Sequence, residues 1–376
     1  MIKDTRFDST ADSRDWPHWL AAGEIEPGGV LTGRRASEDP ETPRPEKGIP
    51  HHLLVCLDRS PESEHLIRHA SALARAWRAR LTLIHILESG SEEGLPHPAD
   101  AVEWRLRRQE ARRYLTEVGS KSIYQDLQVS TTLAEGRAFE EIQTWSQCHA
   151  VDLTILSTHG EKGRTGCGLS GTAYKLIDGS SGSFLVVPAG EPSQALAEEA
   201  LYKRILVPLD GSLHAESVLP IAAQLAIAHH AEIVLAHVVA APELMRSGPP
   251  TAEDRALEEA VIARNESVAR DYLAEIQTYL QDSRFRIRTY LSRRGNPRDE
   301  LLRFIHDEAV DLVVLSAHGV TGATDRALGS VAAHLVAHVR VPLLLTRNRT
   351  MPKFREDRAS SMPHDVPARL PSAMTA

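Results

Sequence analysis

The segment Asp311–Ser330, DLVVLSAHGVTGATDRALGS, decides how the rest of the chain is read, because Val151–Thr172, VDLTILSTHGEKGRTGCGLSGT, repeats it. In each copy an Asp opens a run of β-branched residues and Leu, the run stops at Ser-x-His-Gly, and a glycine-rich loop leads to Gly-Ser or Gly-Thr. That order is strand, phosphate-sized loop and helix start, occurring twice. Working outward, His52–Leu87 lines up with Arg204–Val239: each has a buried strand, an Asp-x-Ser turn, a long helix and a second strand ending near a His. Two copies of one unit of about 140 residues fill most of the chain, and each is a normal size for a domain.

Composition sets the outer bounds. Of 376 residues, 42% are hydrophobic and 25% charged, enough to bury a sizeable core. No apolar run approaches the ~20 residues of a membrane span, and no apolar stretch follows the basic residues of MIKDTRFDSTADSRDW, so neither a membrane anchor nor a secretory signal is expected. Cys56, Cys148 and Cys167 form no spaced framework, which predicts a reducing cytoplasm. A net charge of -8 without a long Lys/Arg patch argues against nucleic acid as a partner.

Residues 1–50 and 349–376, rich in Pro and polar residues, read as disordered tails. Asp15–Leu20, DWPHWL, is the apolar exception within the first of them. Between the tails, strand alternates with helix, which builds a mainly parallel sheet covered on both faces. The predicted fold is α/β: two tandem doubly wound, flavodoxin-like parallel-sheet domains of five strands each, at 51–189 and 203–348, with a linker at 190–202. In the second domain strands are expected at 204–209, 232–239, 285–291, 311–316 and 342–346. A long helix from Thr251 to Gln281 spaces Leu257, Val261, Val268, Tyr272, Ile276 and Leu280 mostly at three and four, the period of a buried stripe. GNPRDE opens the next helix, with Asn296 as N-cap, Pro297 at the first helical position and acids in the first turn. Pro208, unable to donate to a ladder, is expected at the frayed ligand-facing end of its strand.

Such sheets bind ligands beyond the carboxyl ends of their strands, where the strand order reverses. Three features converge there: Asp210-Gly211-Ser212, His237-Val238, and Ser316 to Ser330. Gly319 and Gly322 let the backbone approach an anion. The amides of Gly329, Ser330 and Val331 would point from a helix N-terminus, whose partial positive charge favours phosphate. Asp210 suits ribose hydroxyls or a base amino group. His159 and His318, preceding the key glycines, are read as fixing their loops by hydrogen bonding rather than as acid or base.

With these residues in place, both halves resemble the universal stress protein family, whose nucleotide-binding members use Gly-x-x-Gly, nine residues, then Gly-Ser or Gly-Thr. The second half gives Ser316-Ala317-His318-Gly319, nine residues, then Gly329-Ser330, departing only at Ser316. The resemblance implies that Asp210 and the backbone at Val238 hold adenosine while Gly319, Gly329 and Ser330 hold phosphates, with ATP, alone or with Mg, or another adenine nucleotide as ligand. A second site in the first half would comprise Asp58, Ile86, Gly160, Gly163, Gly171 and Thr172. There Arg59 replaces the turn glycine, ten residues separate Gly160 from Gly171, and Phe184 stands where the second half has Pro342, so the sequence leaves binding by this copy open. The resemblance also implies pairing through the last edge strands, Phe184–Pro188 and Pro342–Thr346, which here would form an intramolecular pseudo-dimer, with a further homodimer left open.

Other signals carry less. Gly166–Gly171 fits G-x-G-x-x-G but follows a long loop and lacks the acid ~20 residues on. His334 and His338 lack the Glu of a zinc-protease helix and a third ligand, so no metal site is expected. No P-loop lysine or catalytic carboxylate pair appears. The expected function is therefore a cytoplasmic nucleotide-binding stress-response regulator with no catalytic residues. The alternatives are an interaction module with vestigial sites and an adenylyl-transferring enzyme.

Overall fold

A computed structural model describes residues 49–88, 101–159, 169–189, 202–242, 249, 251–281, 284–293, 295–319 and 328–347. Residues 1–48, with Asp15–Leu20, residues 348–376, and Gly160, Gly163, Cys167 and Gly322 lie outside the described residues; Ile49, placed in the first tail by sequence, is instead buried against the core.

The first half runs β1 (His52–Leu57), α1 (Pro61–Trp77), β2 (Arg80–Leu87), α2 (Ala101–Gly119), β3 (Val129–Glu135), α3 (Ala138–Cys148), β4 (Leu153–Ser157), α4 (Gly171–Gly179) and β5 (Ser183–Val187). The second runs β6 (Arg204–Pro208), α5 (Leu213–Glu216), α6 (Leu219–His229), β7 (Glu232–Val239), α7 (Ala252–Leu280), β8 (Arg286–Arg293), α8 (Pro297–Asp307), β9 (Leu312–Ser316), α9 (Ser330–His338) and β10 (Leu343–Thr346). The ten strands among the described residues form one sheet, in the order β3-β2-β1-β4-β5-β10-β9-β6-β7-β8. Within each half every pairing is parallel; β5 and β10 meet antiparallel, with Leu344 opposite Leu185 and Leu345 opposite Phe184.

The strands read as continuous apolar runs because both faces are covered. Their period of two divides the core. Leu53, Val55, Ile205 and Val207 face the layer of α1, α2, α6 and α7, whereas Leu54, Leu206, Val313 and Leu345 face α3, α4, α8 and α9. The Asp that opens each repeat segment pins the start of the neighbouring strand: Asp152 accepts from the amides of His51 and His52, and Asp311 from those of Lys203 and Arg204.

Local signals at helix ends hold. Thr251 and Asp254 form a reciprocal capping box on α7, and the Asn296 side chain accepts from the Arg298 amide at the start of α8. The stripe expected on α7 needs correction. Its buried residues are Ile262, Ala269, Leu273, Ile276 and Leu280, whereas Leu257 is 55% and Val268 59% exposed. The helix carries apolar residues on two adjacent faces, and the sheet takes only one.

The halves also touch through their helices. His69 of α1 shares a 2.9 Å hydrogen bond with Tyr202, which is 2% exposed, and the Tyr202 ring meets His229 of α6 edge-on at 5.0 Å. Burial, with Arg68 and then His65 nearby, holds the His69 imidazole down at about 4. A folded-state value below the unfolded 6.5 means that acid favours the unfolded chain. The stabilisation is therefore complete above pH 6.5 and is lost as pH falls towards 4, by up to about 3 kcal/mol. His69→Gln keeps a hydrogen-bonding group but cannot titrate, so its urea midpoint is expected to fall less between pH 7.5 and 4.5 than that of the parent chain. Equal falls would contradict this assignment.

Candidate functional site

In the second half the strand order reverses between β6 and β9, and their carboxyl ends part around a cavity of about 270 Å³. The end of β6 supplies Pro208, Leu209 and Asp210; β7 supplies Ala236, His237 and Val238; the loop after β9 supplies Ser316 to Gly319; and the start of α9 supplies Gly329 to Ala332. Pro208 is the last residue of its strand, opposite Ala236, as expected of a residue that cannot donate.

The two groups whose proximity matters most are neighbours. A Cβ built on Gly319 would lie 2.1 Å from Asp210 Oδ2, so only hydrogen at this position leaves the carboxylate where it stands. The other carboxylate oxygen, Oδ1, accepts from the Ser212 amide at 3.0 Å, in a turn that Gly211 completes at φ +83°. Gly329 donates its amide to the Ala317 carbonyl at 2.7 Å, which seats the N-terminus of α9 beside the loop. As N-cap, Gly329 has no side chain to satisfy the amides of the first turn, which leaves them without a capping acceptor. Asp210, Val238, Ser316, His318, Gly319, Gly329, Ser330 and Val331 thus line one cavity; Gly322 is outside the described residues. The described lining contains no Lys or Arg, so an anion there would be met by amides and the helix end rather than by a cation. Among the described residues, no cluster of three or more His, Cys, Asp or Glu is placed to hold a metal ion.

Sequence reasoning placed His237 at the site without giving it a role, and passed over three further contributors, Ala215, Pro297 and Leu301. His237 Nδ1–H donates to the Leu209 carbonyl at 2.8 Å and so fixes the turn immediately before Asp210. Its signal was visible, because His85 makes the same bond to Leu57 at 2.7 Å in the first half. Ala215 of α5 and Pro297 and Leu301 of α8 supply apolar wall. No local pattern marks these three, since tertiary packing alone brings them to the site.

The first half shows the same frame in a different state, and two alignments from sequence need correction. Ser170, not Gly171, corresponds to Gly329: its amide donates to Thr158 O at 2.6 Å, as that of Gly329 does to Ala317 O. The loops between Gly160 and Ser170 and between Gly319 and Gly329 therefore have equal lengths, and the apparent extra residue is a Gly-to-Ser replacement at the cap. Likewise Leu153, the counterpart of Leu312, faces Ser183, while the Val313–Leu343 register sets Leu312 level with Pro342, which puts Ser183 rather than Phe184 at the place of Pro342. The replacement at the cap has a chemical consequence. The Ser170 hydroxyl accepts from the Ala173 amide at 3.2 Å and occupies a donor that Gly329 leaves open. Arg59, holding φ +69° where Gly211 stands in the second half, turns towards Glu110 at 3.8 Å, and the Ser60 hydroxyl donates to Asp58 Oδ1 at 2.6 Å.

Asp210 has a test of its own. Asp210→Ala removes an acceptor without touching the cap of α9, and is expected to weaken binding of an adenine nucleotide by about 10–100-fold, the usual worth of a charge-assisted hydrogen bond. Asp210→Asn, which keeps one acceptor oxygen, should lose less; calorimetric titration of both variants checks the order.

Comparison with known proteins gives one consistent answer. The sequence profile of the universal stress protein family matches twice, at residues 50–188 and 201–347. A universal stress protein from Methanocaldococcus jannaschii is 25% identical over 163 residues, covering 40% of this chain and 97% of its own. Universal stress protein C of Salmonella typhimurium is 29% identical over 141 residues, covering 36% of this chain and 94% of its own. Among solved structures, a universal stress protein from Archaeoglobus fulgidus superimposes on 79% of this chain and 98% of its own with a TM-score of 0.54 at 16% identity, a likeness of fold. No helix among the described residues is long and apolar enough to cross a membrane.

Proposed function

This chain belongs to the universal stress protein family, carrying its domain twice, and on that footing we propose that the second half binds ATP or a related adenine nucleotide as a cytoplasmic stress-response signal. The observation that carries the reading is the close approach of Asp210 to Gly319 in the cavity wall, next to a helix start with no side-chain cap. The base and sugar would lie between Asp210, the backbone of Val238 and the apolar wall of Pro297 and Leu301. The phosphates would lie against the amides of Gly319, Ser330 and Val331. His237 and the Gly211 turn hold Asp210 before the ligand arrives, which lowers the cost of binding.

The role proposed is binding rather than turnover. Asp210 is the single acid among the described lining residues, and no Lys or Arg stands among them to neutralise charge on a transferring phosphoryl group. The first half is assigned a supporting role. Its cap hydroxyl already takes an amide of the first turn, that of Ala173, which narrows the open helix start that a phosphate would need, and the antiparallel pairing of β5 with β10 supports reading it as the partner in an intramolecular pseudo-dimer. Native mass spectrometry of the purified chain tests the reading: an adduct of adenine-nucleotide mass is expected on the parent chain and is expected to vanish in Asp210→Ala. A chain that carries no such adduct and takes none up from added ATP would favour an interaction module with vestigial sites.

A further inference from the structure

A run of hydrogen bonds leads from the cavity of the second half into the first half. The Gly329 amide, at the start of α9, donates to the Ala317 carbonyl at 2.7 Å. Ala317 donates its own amide to the carbonyl of Thr346, the last residue of β10, at 2.8 Å. Next in the chain is the half-buried Arg347, whose amide donates to Ser183 Oγ at 3.2 Å. Its guanidinium donates to the carbonyls of Ile177, Ser180 and Gly182, at and just beyond the end of α4. The last carbonyls of a helix lack partners within it and carry its partial negative charge, so a cationic fork suits them in both charge and geometry.

The first half follows the same course and then stops. Ser170 donates to the Thr158 carbonyl at 2.6 Å, and Thr158 to that of Val187, the last residue of β5, at 2.9 Å. In the place of Arg347 stands Pro188, with neither an amide donor nor a charge. The clasp therefore runs one way, from the half whose helix start has no side-chain cap to the half whose helix start is capped by Ser170. Its target, α4, is a helix of nine residues, so the end that Arg347 holds lies only about 13 Å from the start at the first-half site.

Resting on the nucleotide reading of the second half, we propose that occupancy of its cavity is relayed through Arg347 to α4 of the first half, so that one domain binds and the other displays the bound state. A phosphate on the amides of Gly319, Ser330 and Val331 would hold the loop and the start of α9, and between them Ala317, which is bonded at both its amide and its carbonyl. A steadier Ala317 steadies Thr346 and the fork beside it, and the end of α4 then frays less. No change of shape is needed, because ordering one end of such a run lowers the entropy cost of ordering the other. Linkage makes the effect reciprocal: a clasp that nucleotide strengthens must itself strengthen nucleotide binding.

Amide hydrogen exchange of the full chain, with and without saturating ATP, reads the relay at the last turn of α4, where the Ser180 amide donates to the Leu176 carbonyl. ATP is expected to slow exchange at Gly179 and Ser180 by about fivefold or more, the lower range of coupling between sites. Arg347→Ala, and Arg347→Lys, which keeps the charge and stem but not the fork, are expected to lose that slowing and to bind ATP about fivefold more weakly by calorimetry. A clasp that is merely structural would let α4 exchange faster in both variants while the slowing by ATP persisted. That outcome, or ATP that binds the parent chain without slowing exchange in α4, overturns the relay and leaves the nucleotide reading standing. A parent chain that binds no ATP overturns both.

Discussion

The Gly319→Val variant is expected to bind adenine nucleotide about 100-fold or more weakly than the parent chain while unfolding at nearly the same temperature. Any Cβ at this position falls 2.1 Å from Asp210 Oδ2, far inside contact distance. The core does not have to yield, because the obstructed atom ends a side chain at the cavity mouth, where Asp210 is exposed. The carboxylate instead swings away from the position in which it would hold the sugar or base. That displacement forfeits a charge-assisted hydrogen bond of about 1.5–3 kcal/mol, and the valine methyl groups also bar phosphate from the loop amides. Together these exceed the roughly 2.8 kcal/mol that corresponds to 100-fold. Gly319→Ala separates the contributions, since it displaces the carboxylate with little added bulk. Calorimetric titration paired with a melting curve measures both variants, and an affinity within threefold of the parent chain would show that the close approach is irrelevant to binding.

The second large effect is on stability. Phe184→Ala at the seam between the halves is expected to cost about 3–5 kcal/mol, the usual loss for a large-to-small change in a packed core. Phe184 is 2% exposed and stands opposite Leu345, which is fully buried. The Arg347 guanidinium lies 5.6 Å from the centre of its ring and donates to the carbonyls of Ile177 and Ser180 at the end of α4. One side chain thus joins the last strand of the second half to a helix end of the first, and loss of the ring under it loosens both. Urea denaturation at pH 7.5 should show the midpoint falling, and the transition separating into two steps if the halves retain unequal stabilities of their own. A loss below about 1 kcal/mol would mean that the ring at the seam adds little to the stability of the folded chain.

Much of this architecture was legible because the signals were local and occurred twice. The β6, β7 and β9 runs lie within a residue of where their apolar patterns put them, and the caps at Thr251 and Asn296 are set by side chains a few residues away. The convergence of Asp210 with Gly319 and Gly329 was also readable, since the topology of a doubly wound sheet brings particular strand ends together whatever the loops contain.

What escaped depended on tertiary contacts. On α7, Leu257 and Val268 continue a helical period as well as Ile262 and Ala269 do, and nothing in spacing says which face a sheet will cover. At the first-half cap, Gly171-Thr172 looks more like Gly329-Ser330 than Ser170-Gly171 does; a backbone bond from Ser170 to Thr158 across the site decides the register. The role of His237 needed the position of Leu209 O, which lies on another strand end.

The central claim is that one half of the chain binds an adenine nucleotide and the other supports it. Isothermal titration of ATP into the full-length protein tests this most directly. The account predicts one nucleotide bound per chain, abolished in Gly319→Val and retained in a variant altered at Asp58. Two nucleotides per chain, none, or one whose binding survives Gly319→Val would contradict it.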